Sequence, residues 1–535
     1  MGASVPQAPR SYATDHAWGP FPRTRQTSVL SALVLGASGC VKKYGTGNNV
    51  TFVCVCSADY CDSVEDFDDY VPGRHFVVYT SSKWAGRLVK QVFSIGNLPQ
   101  YPGTGVTFTV NKRTKYQEIL GFGGSFSDSA GINIMALSET TRENLMKSYF
   151  SAEGIEYNMA RVPMASTDFS THEYSYDDVD GDFDLENFAL TQEDLSYKIP
   201  LIKEAMSLSP TPIKLFASPW SAPGWMKTNG RMKGGGRLFG DPGGQHYKTW
   251  AHYFARFLEE YEKQGVTFWS LTLQNEPSAG LVPMYDFQCM YLGPNISKEF
   301  IKQDLGPTLA ARGYGDLKYM ILDDQRWLLP QWARSVLSDP EVTPYVNGIA
   351  LHWYYDRIIS TRRLRETHDE FPDYFMLNSE ACAGVFFFEG DDVILGSWER
   401  GELYSQDILE DLNNWVGAWV DWNLALDLQG GPNWVGNFVD SPIIVDSVND
   451  VFYKQPMFYH LGHFSKFVPP GSVRVEMTAG RPTRLQYIAF QRPDGKMVAI
   501  FLNKTERTIQ MQIFDVSVGF LSMEVSARGI QTYIW

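Results

Sequence analysis

The 535 residues predict an α/β protein: a (β/α)8 barrel, an accessory β-sandwich-like domain and a small disulfide-bonded β module near the N-terminus. Three observations carry this. From Gln117 onward short apolar runs alternate with amphipathic stretches, as repeated βα units do. From Leu485 the texture changes to closely spaced alternating strands. Four of the six cysteines crowd into Cys40, Cys54, Cys56 and Cys61. The length suffices for a barrel of about 250 residues plus smaller domains.

In chain order, residues 1–39 read as a secretory leader. Arg23 and Arg25 precede the apolar run Val29-Leu30-Ser31-Ala32-Leu33-Val34-Leu35, and the small residues Gly36-Ala37-Ser38-Gly39 place cleavage after Gly39. The competing reading is a tail with an accidental apolar run. Elsewhere no stretch approaches the ~20 apolar residues of a membrane span, so a soluble mature chain is expected. Residues 40–68 together with 424–455 are assigned to the small β module. Secretion implies oxidation, and the pairing Cys40 with Cys54 and Cys56 with Cys61 is favoured because Cys54 and Cys56 alternate with Val53 and Val55 as strand residues do. A Cys-x-Cys-x4-Cys spacing suits zinc poorly. Sequons at Asn49, Asn295 and Asn503 offer glycosylation sites on the secretory route.

Residues 69–116 together with 472–535 are assigned to the β-sandwich-like domain, and 117–423 to the barrel. The sandwich contains a hairpin signal, 485–491 returning through Pro493-Asp494-Gly495. The eight barrel strands are placed at 117–122, 157–162, 213–217, 266–273, 318–322, 348–352, 374–377 and 416–421. Between the third and fourth, Trp250, Phe254, Phe257, Leu258 and Tyr261 recur at helical spacing, and Gly265 stops that helix.

Two glutamates fall at strand ends: Glu276, in Asn275-Glu276-Pro277, after strand four, and Glu380, in Ser379-Glu380-Ala381, after strand seven. The C-terminal ends of barrel strands share one mouth, so the two can face each other across a pocket. Such a pair is the minimum machinery for cleaving a glycosidic bond, one carboxyl as proton donor and the other as nucleophile. Arg161 on strand two can hold Glu380. Asp168, Trp220, Asn275, His352, Trp353, Tyr354 and Trp422 supply polar and aromatic groups at the same face, as a sugar pocket requires. Asp323 and Asp324 are adjacent, so their side chains should point apart, and both are read as structural. A metal-dependent hydrolase would need clustered ligands, whereas His460-Leu461-Gly462-His463 lies beyond the barrel. No metal or cofactor is called for. A net charge of -15 argues against nucleic acid or an anionic membrane as a default partner. A non-catalytic sugar-binding protein would keep the aromatics without needing both glutamates, and the carboxylate pair does not identify the sugar.

The motifs Gly121-Phe122-Gly123-Gly124, Arg161-Val162-Pro163-Met164-Ala165-Ser166, Ala217-Ser218-Pro219-Trp220, Asn275-Glu276-Pro277-Ser278-Ala279-Gly280, Leu322-Asp323-Asp324-Gln325-Arg326, Ser379-Glu380-Ala381-Cys382, Asp421-Trp422-Asn423-Leu424-Ala425-Leu426, Gly431-Pro432-Asn433-Trp434 and Tyr453-Lys454-Gln455-Pro456 resemble, in order, those of the lysosomal acid β-glucosidases, or glucosylceramidases. The resemblance runs from Cys40 to Trp535. It implies a retaining β-glucosidase that hydrolyses glucosylceramide to glucose and ceramide through a covalent glucosyl-enzyme, with Glu276 as acid/base and Glu380 as nucleophile. It further implies that Asp168, Trp220, Asn275, Tyr285, His352, Tyr354, Trp422 and Asn437 surround the sugar or its entrance, and it gives the same cysteine pairing. It implies a saposin-type activator protein, anionic lipid, and a lysosomal targeting receptor contacting residues 440–455. The location implied is the lysosomal lumen with peripheral membrane association. Ser125-Phe126-Ser127, Thr167 and Leu273-Gln274 depart from the family pattern, which leaves substrate preference and activator response open. Related glycosidases of other sugar specificity, and a non-catalytic glycolipid-binding protein, are the alternatives. The apolar runs Val385-Phe386-Phe387-Phe388 and Trp327-Leu328-Leu329 are placed to line a mouth for lipid.

Overall fold

The computed structural model describes residues 39–45, 50–68, 70–386 and 389–535. The leader predicted before Cys40, the sequon residue Asn49, and Phe387 and Phe388 lie outside them.

Eight parallel strands close a barrel in sequence order: β1 (Gly121–Ser125), β2 (Met159–Met164), β3 (Lys214–Pro219), β4 (Ser270–Thr272), β5 (Lys318–Gln325), β6 (Val346–His352), β7 (Phe375–Glu380) and β8 (Val416–Asn423). The predicted first strand was four residues early. Gln117 and Glu118 end a long strand, Val106–Glu118, of a different sheet, and only past Ile119 does the chain enter the barrel. What β1 needs is its glycines: a Cβ on Gly123 would sit 1.7 Å from the Met159 carbonyl oxygen of β2. The predicted fourth strand shrinks to Ser270–Thr272. The helix Gln245–Lys263 precedes it, and Gly265, at φ 79°, ends that helix in the left-handed region.

Period-two alternation sorts the barrel interior into layers. Met159, Phe216, Met320, Ala350, Leu377 and Ala418 pack together as an apolar floor. Two residues further along their strands stand Arg161, Ser218, His352 and Ser379, all buried. A third step on β3 and β8 reaches Trp220 and Trp422. The same register that fills the core therefore delivers polar groups to the mouth.

A nine-stranded sheet includes His75–Ser82, Val89–Ser94 and Val106–Glu118 from before the barrel, and strands from Val473–Ala479 to Gly529–Ile534 after it. Gln486–Gln491 and Met497–Asn503 form the expected hairpin. Gly529–Ile534 lies between Met497–Asn503 and His75–Ser82, paired with both. A five-stranded sheet joins Lys42–Tyr44 and Phe52–Cys56 to Val451–Lys454, Ile443–Asp446 and Leu426–Asp427. Its disulfides are Cys40–Cys54 and Cys56–Cys61, as expected from the sequence.

Among the described residues no helix is long and apolar enough to cross a membrane. Asn295 is exposed, but Asn503 is fully buried and donates its amide to the carbonyls of Arg507, Val525 and Ser526 at 2.9, 3.1 and 2.9 Å. The expectation of a glycan at Asn503 is corrected accordingly: in the folded protein that amide is spent inside the sandwich.

Candidate active site

The predicted residues converge at the C-terminal end of the barrel. Glu380 closes β7, and Glu276 follows β4 in a left-handed backbone conformation, φ 41°, which a residue with a Cβ adopts only when its surroundings enforce it. The enforcing contacts are visible. The Glu276 N–H donates to the Asp323 carbonyl at 2.9 Å, and the Ala279 N–H to the Glu276 carbonyl at 2.9 Å. A carboxylate oxygen of Glu276 and one of Glu380 lie within 4.8 Å of each other.

Each carboxylate has its own set of donors. Glu380 accepts from the Arg161 guanidinium and, at 2.6 Å, from the Tyr354 hydroxyl. Glu276 accepts from Gln325 Nε2 at 2.8 Å, and Tyr285 OH stands 3.4 Å from its other oxygen. His352 is buried between them, Nδ1 3.2 Å from Glu276 and 3.8 Å from Glu380. Glu276 is the more open of the two, its side chain 17% exposed against 7% for Glu380.

Behind the glutamates lies a buried cation layer. Arg161 also bonds to Asp323 at 2.7 Å, to Asn275 at 2.8 Å and to Ser218 at 3.1 Å. The second ring nitrogen of His352 meets Asp323 at 3.1 Å. Burial opposes charge on His352, but Glu380, Asp323 and Glu276 outweigh it and push the imidazole up to about 10. Asp323 is held well below the usual carboxylate range: burial would raise it, and Arg161, His352 and Ser379 more than reverse that. The expectation that Asp323 and Asp324 point apart holds, yet Asp323 is anything but remote. A register shift between Leu322 and Asp324, with Leu322 and Asp323 at φ 76° and 53°, turns Asp323 into the barrel where regular alternation would turn it out. Asp324 instead accepts from the Ser278 N–H at 2.9 Å and holds the loop after Glu276.

The remaining predicted residues form the walls. Trp220 and Trp422 stack at 4.9 Å between ring centres, with Arg161 beneath both. Asp168 accepts from Asn437 at 3.0 Å and Asn433 at 3.3 Å. Burial raises its carboxyl to about 7 despite those donors. Trp353 is turned away, donating to the Cys382 carbonyl at 3.1 Å and packing on Tyr404 and Trp419. Sequence reasoning did not single out Gln325 or Asn433. Both lie within quoted motifs, but a polar residue past a strand end gives no sign of which way it faces.

The glycosyl hydrolase family 30 TIM-barrel domain matches residues 119–468, and the family 30 beta sandwich domain matches 471–533. The chain belongs to glycosyl hydrolase family 30. This family 30 enzyme is a glycoside hydrolase, and the resemblance to the glucosylceramidases holds over nearly its whole length. It is 49% identical over 501 residues to the lysosomal acid glucosylceramidase of Mus musculus, covering 94% of this chain and 96% of that protein. It is 47% identical over 495 residues to putative glucosylceramidase 4 of Caenorhabditis elegans, covering 91% of each. Among solved structures it is similar to SrfJ from Salmonella typhimurium, with a TM-score of 0.79 and 29% identity over 86% of this chain and 99% of that one.

Beside the pocket the family 30 enzyme carries a buried acidic cluster. Asp356, Asp407 and Asp411 share one cation, Arg326, which is 3.0 Å from Asp356 and 3.4 Å from Asp411. Trp419 and Asn378 add neutral donors to Asp407 at 2.9 Å and Asp411 at 3.0 Å. Burial raises all three carboxyls, Asp411 to about 6 and the others well above their usual range. A carboxyl raised on folding contributes stability that is complete below the unfolded value near 4 and is lost as pH rises through the folded one. Thermal unfolding of the wild type is therefore expected at lower temperature at pH 7.5 than at pH 5. In Asp407→Asn/Asp411→Asn that difference should shrink; an unchanged difference would show that the cluster does not bind protons on folding.

Proposed function

We propose that this enzyme is a retaining β-glucosidase that hydrolyses glucosylceramide to glucose and ceramide. The observation that carries the reading is the separation of the two carboxylates. Oxygens within 4.8 Å suit direct attack by one glutamate, whereas inversion needs room for a water, about 6.5 to 9.5 Å between carboxyls.

In the proposed cycle a Glu380 oxygen attacks the anomeric carbon as the glycosidic bond breaks. Glu276 gives its proton to the departing ceramide oxygen, and the products of this step are ceramide and a glucosyl ester of Glu380. Glu276, now a carboxylate, takes a proton from water as the water oxygen attacks the same carbon. Glucose leaves with its configuration retained and Glu380 is free again. The Tyr354 hydroxyl, whose ionisation burial pushes far out of reach, holds Glu380 as a donor. Asp168, Asn275 and Asn437 are proposed to bind ring hydroxyls, with Trp220 and Trp422 against the sugar.

Glucose and ceramide are suggested by the glucosylceramidases among the relatives and by the rim. Trp327, Tyr355 and Phe386 follow one another at 6.2 and 6.1 Å between ring centres, and Trp327 and Tyr355 are about half exposed. Leu281, Val282 and Met284, between Glu276 and Tyr285, are exposed as well. Such apolar lips suit an acyl chain. Trp327→Asp/Tyr355→Asp should lower hydrolysis of glucosylceramide in vesicles at least about tenfold, the value of one exposed apolar side chain, and leave a soluble aryl glucoside unaffected. Equal losses on both would remove the lipid-rim reading.

The lysosomal acid glucosylceramidase of Mus musculus supports a lysosomal location for this chain, and with that location we propose activation by a saposin-type protein with anionic lipid and delivery by a targeting receptor. Within 440–455 Asp440 and Gln455 are buried, and Ser447, Val448 and Asn449 are exposed, so the receptor contact we propose centres on that turn. The reaction is tested by a β-glucose-configured epoxide or 2-fluoro-glucoside, with the adduct located by peptide mass. Labelling at Glu380 is expected; an adduct elsewhere, or none on folded protein, overturns the assignment.

A further inference from the structure

One carboxylate stands behind both glutamates. Asp323 Oδ2 takes Arg161 Nη2 at 2.7 Å and the Thr272 hydroxyl at 2.6 Å, and Oδ1 takes His352 Nε2 at 3.1 Å and the Ser379 hydroxyl at 2.6 Å. Arg161 reaches on to Glu380, and His352 reaches on to Glu276. Each oxygen of Asp323 is thus tied through one cation to a different glutamate. His352 has an Asp323 oxygen at Nε2 and a Glu276 oxygen at Nδ1, and when both oxygens accept, both ring nitrogens carry N–H, an imidazolium.

We propose that Asp323 is the positioning residue of the reaction, anchoring Arg161 for the nucleophile and keeping His352 doubly protonated beside the acid/base residue. This rests on the roles proposed above for Glu380 and Glu276. The groups facing His352 agree with it: Glu276, Glu380 and Asp323 are acidic, and Tyr354, 6.0 Å away between ring centres, remains a neutral phenol. An amide in place of the Asp323 carboxylate has one acceptor and one donor. Its NH2 would face either Arg161 or His352, and neither offers an acceptor. If it faces His352, the ring gives up the proton on Nε2; if it faces Arg161, the guanidinium turns from Glu380. In either case one glutamate loses its partner without being touched itself.

The burial that makes Asp323 effective also lets a simple folding role mimic this one, so the test counts working sites. Asp323→Asn is titrated with the glucose-configured inactivator, and turnover is expressed per labelled Glu380. The expected result is a loss of about 100-fold or more in kcat per labelled site, with the alkaline limb of the pH profile displaced from its wild-type position. A merely structural Asp323 would lower the number of labelled sites and leave both quantities unchanged, which would overturn the proposal. If the variant does not fold, the wild type decides: in protein carrying 15N-histidine, the His352 signal, assigned with His352→Gln, should show two protonated nitrogens at pH 8. A neutral ring at that pH refutes the anchoring role. Labelling of the wild type away from Glu380 would instead strike the nucleophile assignment on which it rests.

Discussion

Glu380→Ala should be inactive to within about one part in a million of wild-type turnover, the scale lost when a nucleophile acting in concert with its neighbours is removed. The variant should still fold, because Arg161 retains Asp323 and Asn275 as partners and Tyr354 lies in contact with Cys382. Its decisive property is what an added anion does. Azide small enough to occupy the vacated carboxylate site would attack the anomeric carbon of an activated β-glucoside from the face Glu380 used, giving α-glucosyl azide. Formation of the β-azide, or turnover close to wild type, would show that Glu380 is not the nucleophile.

Glu276→Gln should separate substrates by leaving group. A ceramide or alkyl alkoxide departs only with a proton, so the loss there should be on the order of 10² to 10⁴. A dinitrophenolate departs without one, so formation of the glucosyl-enzyme should proceed at close to its normal rate. Breakdown of that intermediate still requires a base, and a burst of phenol followed by a slow steady state is expected in rapid-mixing experiments. Equal loss on both substrates with no burst would mean that Glu276 serves binding and carries no proton. The two variants are complementary: with azide, Glu276→Gln should yield the β-azide, because Glu380 is still there to form the ester.

Most of the frame that holds this chemistry is legible in the residues. The apolar runs of the barrel strands carry enough Val, Ile, Leu and Ala to be recognised, and the glutamates stand where runs stop. The period-two rule then accounts for Arg161, Ser218, His352 and Ser379 lying one step above the apolar floor. What the rule cannot foresee is a place where it is broken. Asp323 was read as structural because neighbours on a strand point apart, and a single bulge at Leu322 brings it into the barrel all the same. The first barrel strand was set early for a different reason: nothing in Gln117 to Phe122 marks the boundary at which the chain passes from one sheet to the other. The buried amide of Asn503 was equally invisible, since its sequon describes three residues and its burial is decided by Arg507, Val525 and Ser526.

The position of the last strand has a consequence for how the protein is made. Gly529–Ile534 is an interior strand of the nine-stranded sheet, with His75–Ser82 on one side of it. A chain emerging from a ribosome therefore has to carry its early strand unpaired on that edge while more than four hundred residues are synthesised, and the pairing forms only once Gly529–Ile534 has emerged. Pairing across such a sequence distance is slow and leaves a sticky edge exposed meanwhile. A stop codon at Gly529 should leave Glu276 and Glu380 untouched and still yield a chain that fails quality control, because it exposes an edge that the intact sheet covers.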